Sequence, residues 1–138
     1  MIRKFLFVIL LCAAIVGCRD TFKGEALAEA QIPAFHDRLN AKRFEEIYIT
    51  AGDEFRSAAT KENALALFAA VQKKLGKVRN SSTTKWNVRT FNFVTTVVLV
   101  VDTDFEQGKG TETFTFRVSG DTATLVGYNI NSLDMMTR

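Results

Sequence analysis

"TTVVLVVDTDFEQGKGTETFTFRVSGDTATLVGYNINS", Thr95 to Ser132, is the stretch whose reading decides the fold. Threonine, valine and aromatic residues dominate it, a composition suited to a pleated, half-buried surface. "EQGKG" (Glu106 to Gly110) and "SGD" (Ser119 to Asp121) punctuate it as turns. Connections this short join antiparallel neighbours, because a parallel crossover needs a dozen residues or more. In "GTETFTFRVS", Phe114, Phe116 and Val118 share one face while Thr115 and Arg117 take the other, the period of two of a strand. "VVLVV" (Val97 to Val101) is apolar on both faces and is expected to be the most buried strand. "KWNVRTFNFV" (Lys85 to Val94) adds a further strand upstream, so the sequence predicts a meander of about four strands.

Upstream of Gly76 the spacing is helical. "TKENALALFAAVQKKLG" carries Leu65, Leu67, Phe68, Val71 and Leu75 as its apolar stripe, with Thr60 as cap, Lys73 and Lys74 at the C-terminal dipole and Gly76 as stop. "IPAFHDRLNAKRFEEIYITA" places Ile32, Phe35, Leu39, Phe44, Ile47 and Tyr48 three and four residues apart, as two helical pieces broken near Asn40. Pro33 favours a helix start there, since it has no N–H to donate. Helices first and strands second predict an α+β domain over residues 26–138, with helices packed on one face of the sheet.

The N-terminus has a different character. Arg3 and Lys4 precede "FLFVILLCAAIV" (Phe5 to Val16), a positive region followed by an apolar run shorter than the roughly 20 residues of a spanning helix. Residues 1–17 read as a secretory signal. The "IVGC" that ends the run resembles the bacterial lipobox. That resemblance implies cleavage between Gly17 and Cys18, alkylation of the Cys18 thiol by diacylglycerol and acylation of the new amine. Several acyl chains make attachment effectively permanent, where one chain alone binds marginally. The expected partners are therefore membrane lipid, through acylated Cys18, and another envelope protein. Arg19 after the cysteine resembles the outer-membrane default of enteric bacteria, which places the chain on the periplasmic face of the outer membrane. Residues 18–25 read as a short polar tether.

The chain has only two cysteines, and Cys12 falls within the leader, so the mature protein carries no second thiol for a disulfide. Loss of Arg3 and Lys4 leaves 16 Lys and Arg against 15 carboxylates, which gives no electrostatic footprint for nucleic acid.

Candidate chemistry is sparse. His36 is the one histidine, so no His/Cys metal set forms, and no metal or cofactor is expected. "FHDRL" reads as a helix surface or a satisfied, partly buried histidine. Asp102 and Asp104 lie on one strand face, a spacing open to an acid/base pair but favoured as a strand entering solvent before a turn. Tyr48, Trp86, Arg89 and Tyr128 are the residues placed around a pocket between helices and sheet, if the fold opens one. "QKKLGKVR" (Gln72 to Arg79) is the densest basic stretch; it reads as a helix end, with anionic lipid as the alternative.

"AFHDRLNAKRFEEIYITAGDEF", the helix ending "KKLGKVRN" and the final "LVGYNINS" together resemble small bacterial envelope proteins with a cystatin-like or nuclear-transport-factor-two-like domain. The resemblance implies N-terminal helices packed into the concave side of a curved antiparallel sheet. The cystatin inhibitor hairpin, Gln-x-Val-x-Gly, is not matched by "QGKG" (Gln107 to Gly110). A non-enzymatic envelope lipoprotein is the leading expectation. Its alternatives are a small-molecule binder or enzyme with a helix–sheet cavity, and a hydrolase inhibitor presenting the hairpin at Glu106 to Gly110.

Overall fold

The computed structural model describes residues 14–137, with side chains described from residue 21 onward. Most of the expected signal segment lies outside the described residues, as does the side chain of Cys18. Helix α1 (Ala14–Glu29) leads into α2 (Gln31–Asn40), α3 (Phe44–Thr50), α4 (Asp53–Ala58) and α5 (Lys61–Leu75). Strands β1 (Val78–Phe91), β2 (Val94–Phe105), β3 (Gly108–Ser119) and β4 (Thr122–Asn131) follow, and α6 (Leu133–Thr137) closes the described chain. The strands form one antiparallel sheet in the order β1-β2-β3-β4, the meander predicted from the turns. The register shifts between Val78 and Asn80, between Thr83 and Lys85 and between Thr115 and Phe116, interruptions of the kind that bend a strand. The domain is α+β, helices first and sheet second.

The sheet buries one face against the helices. Val97, Leu99, Val101, Phe114 and Phe116 meet Ile32, Phe35 and Leu39 of α2, Ile47 of α3, Phe55 of α4, and Phe68, Val71 and Leu75 of α5. Within "VVLVV" the odd positions are fully buried, while Val98 and Val100 are half-covered on the opposite face. The α5 stripe differs in one respect from expectation. Ala64, Phe68, Val71 and Leu75 are buried, whereas Leu65 and Leu67 flank the seam half-exposed.

Local chemistry sets the boundaries. The Thr60 hydroxyl accepts from the Asn63 amide and caps α5, and Gly76 ends it at φ 78°. The break at Asn40 also serves the sheet. Its side-chain oxygen accepts from the Val78 amide at 2.8 Å, so α2 supplies the partner for the start of β1. Residues 18–25, expected as a tether, are helical. From Gly24, whose Cβ would lie 3.7 Å from Val97 Cγ2, this segment rests against the sheet.

Candidate functional site

One carboxyl group of the core draws the polar chemistry to itself. Glu112 lies on β3 two residues before Phe114 and four before Phe116, so strand alternation turns it onto the helix-facing side. Its exposure is 0%. The Thr103 hydroxyl, from β2, donates to Glu112 Oε2 at 2.6 Å, and Tyr128 OH, from β4, donates to Oε1 at 2.7 Å. His36 Nε2, delivered by α2, lies 2.7 Å from Oε2. A carboxylate taken out of water needs such partners, because its unpaired burial costs several kcal/mol (about 3–5). The cluster is satisfied: no buried side-chain polar atom among the described residues lacks a partner.

Aromatic rings seal the cluster. Phe35 contacts Phe114 edge-on at 4.9 Å between centroids and Tyr128 at 4.8 Å; Phe68 lies 5.9 Å from both Phe35 and Tyr128. Burial of the Tyr128 hydroxyl, reinforced by the facing Glu112 carboxylate, raises its pKa well above the ordinary tyrosine value. A cleft of about 180 Å³ between α2 and β4 reaches Phe35 and Phe116 but is not lined by Glu112, His36 or Tyr128.

The four residues placed around a pocket are scattered. Tyr128 belongs to the core cluster. Tyr48 donates to the Ala59 carbonyl at 3.4 Å and ties α3 to the C-terminal end of α4. Trp86 pairs with Leu99 and Arg89 with Thr96 across the β1–β2 ladder. Opposed residues share a face and the period is two, so Trp86 and Arg89 point to opposite sides of the sheet. Trp86 lies on the helix-facing side but at an edge the helices leave uncovered, and both residues are exposed.

His36 is the satisfied, buried histidine that its sequence context suggested, 5% exposed. Asp102 is exposed and accepts from Thr111, and Asp104 faces Lys109 at 3.5 Å, as a strand entering solvent would have them. No group of three or more His, Cys, Asp or Glu able to hold a metal occurs among the described residues. The turn at Glu106 to Gly110 is held down rather than presented. Glu106 and Gln107 amides donate to the Lys77 and Leu75 carbonyls, and the Lys109 amide donates to Asp134. The basic stretch Lys73 to Arg79 lies at this same end of the sheet, with the Lys77 amide on the Glu106 carboxylate and Lys74 Nζ on the Met135 carbonyl.

Glu112 is the buried polar side chain that was not among the expected site residues. Its signal was present in "GTETFTFRVS", where Glu112 continues the alternation of Phe114 and Phe116 into the core.

No protein-family model matches the chain, and no curated protein matches it. Among solved structures it is similar to an NTF2-like protein from Cytophaga hutchinsonii, with 10% identity over 88% of this chain and 97% of that one, at a TM-score of 0.43. It is also similar to Bdellovibrio bacteriovorus Bd1075, with 10% identity over 76% of this chain at a TM-score of 0.48. The match spans 40% of the Bd1075 chain.

Proposed function

We propose that this chain is a lipid-anchored lipoprotein of the bacterial cell envelope whose domain is a non-enzymatic binding or accessory module, held at the periplasmic face of the outer membrane. The observation that carries the non-enzymatic part is the closure of the Glu112 cluster. A general acid or base must reach its substrate within hydrogen-bond distance. Glu112 is 0% exposed, and both its oxygens are occupied by side chains of this chain. The cluster therefore joins α2 to β2, β3 and β4, and recognition falls to the outer surface. The anchoring part is supported by "IVGC" at the end of the Phe5 to Val16 run.

Mass spectrometry of the protein recovered from membranes tests the anchor: the mature N-terminus is Cys18 carrying acyl chains, and Cys18→Ser releases the domain from the membrane. An unmodified Cys18, or a variant retained as firmly as the parent, overturns it. A hydrolytic or isomerase activity abolished by His36→Gln in a chain that still folds would overturn the non-enzymatic assignment.

A further inference from the structure

Apart from Trp86, 47% exposed midway along β1, the large apolar side chains of the sheet that remain in solvent gather at one hairpin tip. Phe91 is 72% exposed, Phe93 103% and Val94 48%, all at the β1–β2 turn. Asn92 and Phe93 hold φ of 48° and 64°. A type I′ turn needs positive φ at both central residues, which glycine adopts freely and a bulky side chain only under strain. No core contact offsets that strain at Phe93. Arg89, also exposed, lies two residues before Phe91 and so on the same strand face.

Helix α1 lies at the same end of the sheet. Gly24 would bring a Cβ to 3.9 Å from Thr95 Cγ2 and 3.7 Å from Val97 Cγ2, and Lys23 Nζ pairs with Asp121 of the β3–β4 turn at 2.6 Å. Cys18 precedes Gly24 by six residues, about 9 Å of helix. Between them Phe22 is 62% exposed. On the lipid-anchored assignment, lipid meets the chain at Cys18, about one and a half turns before the part of α1 that lies at the hairpin's end of the sheet.

We propose that the β1–β2 hairpin tip is a second membrane contact: Phe91, Phe93 and Val94 enter the interface of a phospholipid bilayer, with Arg89 at the headgroup phosphates. This rests on the lipid-anchored assignment and adds to it a fixed orientation of the domain on the membrane. Three side chains at a turn are far short of the roughly 800 Å² per partner of a stable protein interface. They suffice as a second signal beside an anchor that already holds the chain at the surface, because the second binding event is then intramolecular. The basic stretch Lys73 to Arg79, beside the β2–β3 turn at the opposite end, faces away from this membrane.

The full chain, expressed with its leader and reconstituted into phosphatidylethanolamine/phosphatidylglycerol vesicles with brominated acyl chains, provides the test. In a Trp86→Phe background, Phe93→Trp loses most of its emission to the bromines and Gln107→Trp keeps its own. Mass spectrometry of the same sample reports acylation at Cys18. An acylated chain whose Phe93→Trp emission is unquenched overturns the tip contact and leaves the anchor standing. An unacylated chain overturns the anchor; on the same vesicles, quenching of Phe93→Trp then still supports the tip, and its absence overturns both. A concentration-dependent dimer in solution, dispersed by Phe93→Ser with unchanged circular dichroism, would assign the tip to a second copy and overturn the membrane contact.

Discussion

His36 Nε2 lies 2.7 Å from Glu112 Oε2 although 76 residues separate them, and this contact ties the second helix to the third strand inside an otherwise apolar core. Thr103 and Tyr128 complete the shell from the two neighbouring strands. Removing the carboxylate leaves three side chains facing a hole in the core. Glu112→Ala is expected to lose about 3–5 kcal/mol of stability. Glu112→Gln, which keeps the shape but turns an amide donor toward groups that donate, is expected to lose about 1–3 kcal/mol. Urea denaturation followed by circular dichroism measures both, and equal losses would contradict the hydrogen-bond account.

Tyr128 couples the same cluster to alkaline pH. Its pKa is raised in the folded chain, so the native state keeps the phenol proton after the unfolded state has released it. Below about pH 10 both states are protonated and this group's stabilising contribution is fully present. Above that value the unfolded chain binds fewer protons, and stability falls as pH rises toward the folded pKa. Tyrosinate absorbance should show one of the two tyrosines ionising only as the chain unfolds. Tyr128→Phe should flatten the decline of stability above about pH 10 relative to the parent. A Tyr128 that ionises freely in the folded protein would refute this.

Phe68 is the ring on which three helices converge. It is fully buried, stacks with Phe55 at 6.4 Å, and contacts Phe35 and Phe44. Phe68→Ala is expected to cost about 3–5 kcal/mol, because the cavity is walled by other rings that cannot all collapse into it. A loss below about 1 kcal/mol, measured by thermal or urea denaturation, would mean that the core is more plastic than its ring contacts imply.

The ends of α5 offer two smaller tests. Thr60→Ala removes the cap of the Asn63 amide and is expected to cost about 1 kcal/mol. Gly76→Ala places a Cβ 2.8 Å from Glu106 Oε2 at a backbone φ of 78°. With ψ at −160°, that backbone lies in an essentially glycine-only region that costs other residues about 1–3 kcal/mol, so this variant should be the more damaged of the two. The order of their denaturation midpoints is the measurement.

The division of the chain at Gly76, the two-piece helix broken at Asn40, the capped α5 and the order of a four-strand antiparallel meander were all legible in the sequence. Each depends on residues a few positions apart: an i, i+2 alternation, an i, i+4 stripe, a cap or a turn. Glu112 was half legible. Its place beside Phe114 and Phe116 set it on the core face, but nothing local named His36, Thr103 and Tyr128 as its partners. Tertiary structure alone decided that Trp86 takes the helix-facing side of β1 and Arg89 the other, that the Glu106 to Gly110 turn is pinned beneath α5 and α6, and that the Phe93 hairpin tip is left bare. Those outcomes depend on strand register and on which edge the helices cover. A shift of one residue in pairing reverses every side chain on a strand, and no short-range pattern records where a distant helix comes to rest.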